Sequence, residues 1–153
     1  MAARSAGILL YRGRGDALQV LLVHPGGPFW RHKDLGAWTI PKGEHGPDED
    51  AEAAARREFA EELGPLPSGR MIPLGEIRQR GGKIVEAFAL EAEFDPATIL
   101  GGSFQMEWPP RSGRLQSFPE IDRAAWFAEE EARRRINPAQ QPFLDRLVER
   151  GGK

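Results

Sequence analysis

The chain contains no cysteine, no long apolar run and no excess of basic charge. Without cysteine, disulfide bonds, thiolate catalysis and zinc–thiolate sites are excluded. The first apolar run, residues 6–11, is too short for a signal peptide or a membrane helix, so we expect a cytoplasmic protein without a membrane partner. The 21 Lys and Arg residues are outnumbered by 23 Asp and Glu residues, which argues against stable nucleic-acid binding but leaves room for a small anionic partner.

The composition that remains is typical of one folded domain, which we expect to span residues 1–153. Apolar residues make up 40% and charged residues 29% of the chain, and no repeat or linker divides it. Two β-rich runs separated by a turn at residues 13–16 predict a hairpin, and four further strands follow. The predicted strands cover residues 5–11, 18–24, 37–40, 71–79, 83–94 and 121–127.

Helices are predicted between and after these strands. The clearest covers residues 50–63, where Asp50 can cap the start and Gly64-Pro65 ends the helix. A short helix is predicted at 129–136, and a terminal helix from Asn137-Pro138 to about residue 150, with Pro142 disturbing its second turn. Residues 24–36 and 101–119 are predicted as loops. This order predicts an α+β fold with a mixed sheet between helices.

Three glutamates share one face of the clearest helix. With Glu58 at zero on a helical wheel, Glu61 falls at about −60° and Glu62 at about +40°. Phe59 lies on the apolar stripe that should pack on the sheet. The three carboxylates repel one another, and a divalent cation such as Mg²⁺ or Mn²⁺ would remove that repulsion and could activate a water molecule. The alternative is a solvated helix face, which the charge pattern alone favours.

The spacing around these glutamates is specific. From Gly43 the chain reads Gly, five residues, Glu, seven residues, Arg-Glu, an apolar residue, any residue, Glu-Glu, any residue, Gly. This resembles the signature of the Nudix hydrolases, and only Pro65, at the final apolar position, departs from it. The matching residues are Gly43, Glu49, Arg57, Glu58, Phe59, Glu61, Glu62 and Gly64.

The resemblance implies a Nudix fold and a hydrolase that cleaves phosphoanhydride bonds with Mg²⁺, or with Mn²⁺ in its place. It implies that Glu58, Glu61 and Glu62 bind the metal, that one of them serves as general base, and that the Gly43 carbonyl is a further ligand. It also implies a buried, bidentate salt bridge that braces the site. The partners in that bridge would be Arg57 and Glu49.

Residues outside this motif bear on the substrate. Trp38, two residues, then Pro-Lys-Gly resembles the diadenosine-polyphosphate and diphosphoinositol-phosphate branches of the family, so Trp38, Lys42 and Lys83 are candidate substrate-binding residues. The loop at 24–34 carries Phe29 and Trp30, which could stack a nucleobase or instead pin the loop to the core.

Some members of the family that the motif resembles carry an additional acidic metal ligand on a distant loop, and the chain offers two candidates for it. Glu107 is our first choice and Glu120 competes for the role.

The sequence thus predicts a nucleotide hydrolase acting on a small molecule, with a dinucleoside polyphosphate such as diadenosine tetraphosphate as the leading substrate. Pyrophosphatases acting on oxidised nucleoside triphosphates or on ADP-ribose are the nearest alternatives. A non-catalytic nucleotide sensor on the same fold is the alternative from another functional class, although it would be free to lose the glutamates that are intact here.

Overall fold

The computed structural model describes residues 3–99 and 102–150, and within them eight β-strands and three α-helices. The strands are β1 (Arg4–Arg12), β2 (Gln19–Pro25), β3 (Lys42–His45), β4 (Met71–Arg78), β5 (Ile84–Glu91), β6 (Ser103–Glu107), β7 (Leu115–Pro119) and β8 (Ile121–Ala128). The helices are α1 (Ala51–Glu62), α2 (Glu129–Arg135) and α3 (Gln141–Arg150). None of these helices combines the length and the apolar character needed to cross a membrane.

Six of the strands form one mixed sheet. Its order is β4-β5-β1-β2-β8, with β1 and β5 parallel and the other neighbouring pairs antiparallel. The strands β1 and β2 pair only near their connecting turn, where Tyr11 lies opposite Val20, and then diverge. The short strand β3 pairs with the first half of β1, with Gly43 opposite Ala6. Beyond the pairing of β1 with β2, β3 takes the place of β2 beside β1 and brings Gly43, the first residue of the signature, next to the sheet.

Helices cover both faces of the sheet, which confirms the predicted α+β class. Successive residues of β1 point to opposite faces, as expected for a strand. Leu9 packs in a cluster with Phe143 of α3, whereas Leu10 packs in a second cluster with Phe59 of α1. Phe59 is fully buried, and burying such a side chain contributes roughly 1.5–3 kcal/mol to the free energy of folding.

The predicted boundaries of α1 are confirmed. The Asp50 carboxylate accepts a hydrogen bond of 3.0 Å from the Ala53 amide and caps the helix start. At the other end, Leu63 is the C-cap residue. Gly64 follows with φ 119°, a backbone conformation that residues with a side chain rarely adopt. Helix α1 is therefore fixed at both ends, which holds its glutamates in place.

Four predicted elements are corrected. Residues 37–40 do not form a strand, because they make only two isolated bridges, one from Thr39 to Val23 and one from Trp38 to Ile136. The strand lies further on, at β3. The second predicted strand of the 71–94 region ends at Glu91 instead of residue 94.

The predicted loop at 101–119 contains a hairpin, formed by β6 and β7 with Phe104 opposite Phe118. Gly101, where that loop was predicted to begin, lies outside the described residues. The terminal helix begins at Gln141, after a 3-10 turn over Pro138–Gln140, so that Pro142 stands in its first turn. Proline is tolerated there because first-turn amides have no partner within the helix.

Candidate active site

The three glutamates of α1 lie at different depths. Glu62 is 9% exposed, and the side chain of Glu58 is 14% exposed, whereas that of Glu61 is 59% exposed. On the helical wheel Glu62 lies closest to the buried apolar stripe and Glu61 furthest from it, which explains this order. Two of the three carboxylates are thus held against the protein body, and the third reaches solvent.

Gly43 lies directly against Glu58. A Cβ atom at position 43 would collide with the Glu58 carboxylate, so no larger residue fits without moving the helix or its side chain. Strand β3 brings this backbone to α1 by pairing with β1. The Gly43 backbone therefore lies beside the Glu58 carboxylate.

Burial and like charges destabilise the ionised form of these carboxylates. Burial, with added repulsion from Glu58 and Glu120, raises the pKa of Glu62 to about 8. Burial also raises the pKa of Glu58 above its usual range. A cation bound among them would favour the ionised form, because an opposite charge offsets both effects.

The donor set fits a hard divalent cation. Within residues 3–99 and 102–150, no group of three or more His, Asp or Glu side chains is already arranged to hold a metal ion. The glutamates of α1, together with the adjacent Gly43 carbonyl, are oxygen donors, which Mg²⁺ prefers while retaining some of its waters. The resemblance of the motif likewise implies a divalent metal ion at this site. A bound metal would supply electrostatic stabilisation of phosphate and activation of water.

Arg57 links α1 to the loop between β3 and α1, which contains Glu49. Its guanidinium donates to both carboxylate oxygens of Glu49, each at 3.0 Å, and to Glu58 at 2.9 Å. The hydrogen bonds from Arg57 lower the pKa of Glu49. The bidentate geometry matches the prediction, but the pair is not buried, since the side chains of Arg57 and Glu49 are 40% and 33% exposed.

Replacing Arg57 with alanine is expected to lower activity by about 10- to 100-fold, because Glu58 loses the group that orients it. Glu49 also loses its partner, so the melting temperature should fall. Activity and thermal unfolding should be measured on the same preparation. Arg56→Ala is the matched control, because Arg56 makes only a helix-surface pair with Glu52 at 3.2 Å. A loss of activity without any change in the melting temperature would contradict the bracing role.

The structure brings Glu120, and not Glu107, to the glutamates of α1. Glu120 lies in the short link between β7 and β8, and its charge acts on both Glu58 and Glu62. Glu107 instead accepts hydrogen bonds from the amides of Arg111 and Gly113 in its own turn. It stands four residues along β6 from Ser103, about 13 Å from the end of the hairpin that adjoins Glu120.

Substituting these two glutamates provides a matched test. Glu120→Gln is expected to reduce kcat/KM by about 10- to 100-fold if Glu120 supports the metal site, whereas Glu107→Gln should leave it close to wild type. Both changes remove one charge and keep the shape of the side chain. If Glu107→Gln lowers kcat/KM more than Glu120→Gln does in steady-state assays, the assignment of Glu120 to the metal site is wrong.

The two candidate lysines lie near one another, and Lys42 lies beside the acidic centre. Burial and the nearby charge of Lys83 lower the pKa of Lys42. Lys83 forms an ion pair of 3.3 Å with Glu44 on β3. A cavity of about 200 Å³ is lined by Lys42, Glu62 and Glu120, among others. Cationic and acidic groups therefore share one opening, as a phosphate and metal site requires.

Trp38 has a structural position that differs from the prediction. It is 2% exposed and packs edge-on against His24 and Phe127, with ring centroids at 5.2 and 4.9 Å. A ring this deeply buried does not face a substrate. Its indole Nε1 donates a 2.7 Å hydrogen bond to Asp34, so Trp38 anchors the preceding loop.

The aromatic residues of that loop line a cleft instead of the core. Phe29 is 59% and Trp30 40% exposed, so they do not pin the loop to the protein. With Phe104 and Met106 of β6 they line a cavity of about 430 Å³ that also includes Glu120. Sequence reasoning missed both β6 residues, because it treated their segment as a loop.

The loop is fixed at its base by His24, which sequence reasoning also missed. His24 is fully buried, and its Nε2 lies 2.6 Å from the Lys33 carbonyl oxygen while its Nδ1 lies 2.8 Å from the Asp122 carboxylate. Asp34 also accepts two hydrogen bonds from Arg135. These contacts hold the loop's end to β8 and α2, leaving Phe29 and Trp30 at its exposed tip.

Comparison with known proteins identifies a matching family model and solved structures with the same fold. A family model described as the NUDIX domain matches residues 1–147. No curated protein matches the chain. Among solved structures, a Caenorhabditis elegans Ap4A hydrolase in a binary complex is 21% identical, with a TM-score of 0.63 over 97% of this chain and 96% of the other.

Two further solved structures have the same fold. The NUDIX domain of Shewanella oneidensis NrtR, complexed with ADP ribose, is 16% identical, with a TM-score of 0.65 over 98% of this chain and 88% of the other. The C-terminal domain of mouse MUTYH, in complex with human PCNA, is 21% identical, with a TM-score of 0.62 over 97% and 89%. At these identities the likeness shows the fold alone, which hosts proteins of different roles.

Proposed function

Because this chain belongs to the Nudix hydrolase family, we propose that it is a Mg²⁺-dependent enzyme that hydrolyses a dinucleoside polyphosphate, with diadenosine tetraphosphate as the leading substrate. Its catalytic unit would be one domain spanning residues 1–153. Two adjoining cavities, one at the acidic centre and one at the aromatic cleft, carry this proposal. The cavity lined by Lys42 and Glu62 and the cavity lined by Phe29 and Trp30 share Pro25 and Glu120.

Each of the two cavities suits a different part of such a substrate. The exposed rings of Phe29 and Trp30 offer a stacking surface for a nucleobase, and base–aromatic stacking contributes about 1–3 kcal/mol per base. The acidic centre and the two lysines suit a phosphate chain bridged to a metal. A substrate with a nucleoside on a long phosphate bridge would extend from one cavity to the other.

The glutamates would divide the catalytic work. Glu58, Glu61 and Glu62, with the Gly43 carbonyl and Glu120, are the proposed oxygen donors for the metal. A glutamate outside the first coordination sphere can accept a proton from water, an effect typically of about 10²- to 10⁴-fold. Glu61 is more exposed than Glu62 and lies 3.5 Å from Arg57, so the two carboxylates have different surroundings. Substituting each of them separately therefore tests whether their roles differ.

The test is a substrate panel assayed with Mg²⁺, with products separated by chromatography. The panel contains dinucleoside polyphosphates, ADP-ribose, oxidised dGTP and diphosphoinositol phosphates. We expect diadenosine tetraphosphate to have the highest kcat/KM and to be split unevenly, into ATP and AMP. A clear preference for ADP-ribose or oxidised dGTP would leave the family unchanged and overturn the proposed substrate.

Lys42→Ala is expected to raise the KM for the tetraphosphate by about tenfold, because a charge-assisted contact with the phosphate chain is lost. The increase should be smaller for a diphosphate substrate such as ADP-ribose, whose shorter bridge carries less charge. Lys42→Arg should restore activity only in part, since the planar guanidinium differs in shape from an ammonium group. Equal effects on long and short bridges would contradict the assignment of Lys42 to the phosphate chain.

A further inference from the structure

Gln140 is a buried amide with no place in the predicted site. It is fully buried at the end of the 3-10 turn Pro138–Gln140, just before α3. Its Oε1 accepts a 3.1 Å hydrogen bond from the Ile40 amide, which can only donate and therefore fixes the orientation of the side chain. Its Nε2 donates to the Thr39 hydroxyl and to the Gln79 side-chain oxygen, each at 2.8 Å.

These contacts join the two segments that carry the lysines. Thr39 and Ile40 immediately precede Pro41-Lys42. On the other side, Gln79 closes the turn between β4 and β5, where its backbone amide donates a 2.7 Å hydrogen bond to the Lys83 carbonyl. One buried side chain thus links the backbone leading to Lys42 with the turn that ends at Lys83.

Strand β1 holds the backbone at both lysine segments, because Gly7 pairs with Lys42 and Arg4 pairs with Ile84. The ion pair between Lys83 and Glu44 adds little to this, because its side chains are 36% and 65% exposed and such pairs define geometry weakly. A buried network in which every donor and acceptor has a partner is more rigid, since breaking one contact leaves a polar group without water. Beyond the strand pairing, the separation of the lysines therefore depends on Gln140 more than on their own surface contacts.

We propose that Gln140 is a positioning residue that, together with the pairing of both segments to β1, fixes the spacing of Lys42 and Lys83 and so matches the site to the length of the substrate's phosphate chain. The inference rests on the proposed function, because it assumes that both lysines contact phosphate. Gln140 itself would touch no substrate. It would act through the Thr39–Ile40 segment on one lysine and through Gln79 on the other.

The first test uses Gln140→Leu, with Gln141→Leu as the matched control. The neighbouring Gln141 donates one hydrogen bond, to the Arg133 carbonyl, and has no link to either lysine segment. Gln140→Leu should raise the KM for diadenosine tetraphosphate by about tenfold with a smaller change in kcat. It should also narrow the difference in kcat/KM between the tetraphosphate and diadenosine triphosphate. An unchanged KM and chain-length preference would overturn the proposal.

The second test remains informative if Gln140→Leu fails to fold. Gln79 is only half-buried, so Gln79→Leu should fold while removing the Lys83 branch. If Gln79 acts through Lys83, Gln79→Leu should raise KM in the wild type but change it by less than about twofold in a Lys83→Ala background. The same increase in both backgrounds would mean a general structural effect and would overturn the proposal.

A binding measurement separates failure of this inference from failure of the proposed function. If the wild type does not cleave diadenosine tetraphosphate, the proposed substrate is wrong. The same four proteins (wild type, Gln79→Leu, Lys83→Ala and the double variant) would then be titrated with inorganic tripolyphosphate and Mg²⁺ by calorimetry. Weaker binding in Gln79→Leu only where Lys83 is present would support the inference, and equal binding in wild type and Gln79→Leu would overturn it.

Discussion

Replacing Glu62 with glutamine is expected to lower kcat by at least about 10²-fold while leaving the protein folded. Glu62 is the most buried glutamate of α1 and lines the same cavity as Lys42 and Glu120. Glutamine keeps the shape of the side chain but removes the charge that a metal or a catalytic water needs. Stability should not fall, because the substitution relieves repulsion from Glu58 and Glu120 and removes a charge that burial disfavours.

A second glutamate on the same helix serves as the control for this experiment. Glu52 pairs with Arg56 on the outer surface of α1, so Glu52→Gln should retain near-normal rates. Steady-state kinetics should be recorded with melting temperatures for both variants and for Glu58→Gln and Glu61→Gln. If Glu62→Gln turns over substrate as fast as Glu52→Gln does, the glutamates form a solvated helix face and the catalytic assignment fails.

Removing divalent metal with EDTA is expected to abolish turnover, the largest effect of all. Without a cation the carboxylates at the site repel one another and repel the phosphate chain, and burial already disfavours the ionised form of Glu58 and Glu62. Adding back Mg²⁺ or Mn²⁺ in excess should restore the rate. Turnover that survives thorough metal stripping would show that the chemistry does not depend on the oxygen donors of α1.

The reliably predicted parts of the molecule are those determined by neighbouring residues. The cap at Asp50, the end of α1 at Gly64 and the common face of the glutamates all depend on residues within a few positions of one another. The bidentate pair of Arg57 and Glu49 was also predicted, because the resemblance links two residues that the helix start brings together. Local spacing therefore predicted correctly that the three glutamates lie together on α1.

The parts that were missed depend on contacts between distant residues. The alternation of Phe104 and Met106 with polar residues was a signal for β6, but the turn-forming prolines and glycines beside it favoured a loop. Trp38 stands in a family-like motif, yet its neighbours in the fold bury it. The roles of His24 and Gln140 could not be predicted, because their partners lie up to 101 residues away in the chain.

The surroundings of the acidic residues also required the fold. The wheel places Glu62 nearest the apolar stripe and Glu61 furthest from it, in the order of their burial, but it does not show which residues surround them. Glu62 lines the same cavity as Lys42 and Glu120, which sequence spacing does not reveal. The fold thus brings Glu120, instead of Glu107, to these glutamates.

Attack of water on the phosphate chain is tested most directly by hydrolysing diadenosine tetraphosphate in water enriched in heavy oxygen and analysing the products by mass spectrometry. With Mg²⁺ present, we expect one heavy oxygen atom to enter a phosphate group of either AMP or ATP for each molecule cleaved. We expect no labelled product when EDTA replaces Mg²⁺. Free adenosine as the main product, unlabelled nucleotides, or labelling that persists in EDTA would contradict a metal-dependent attack of water on a phosphoanhydride bond.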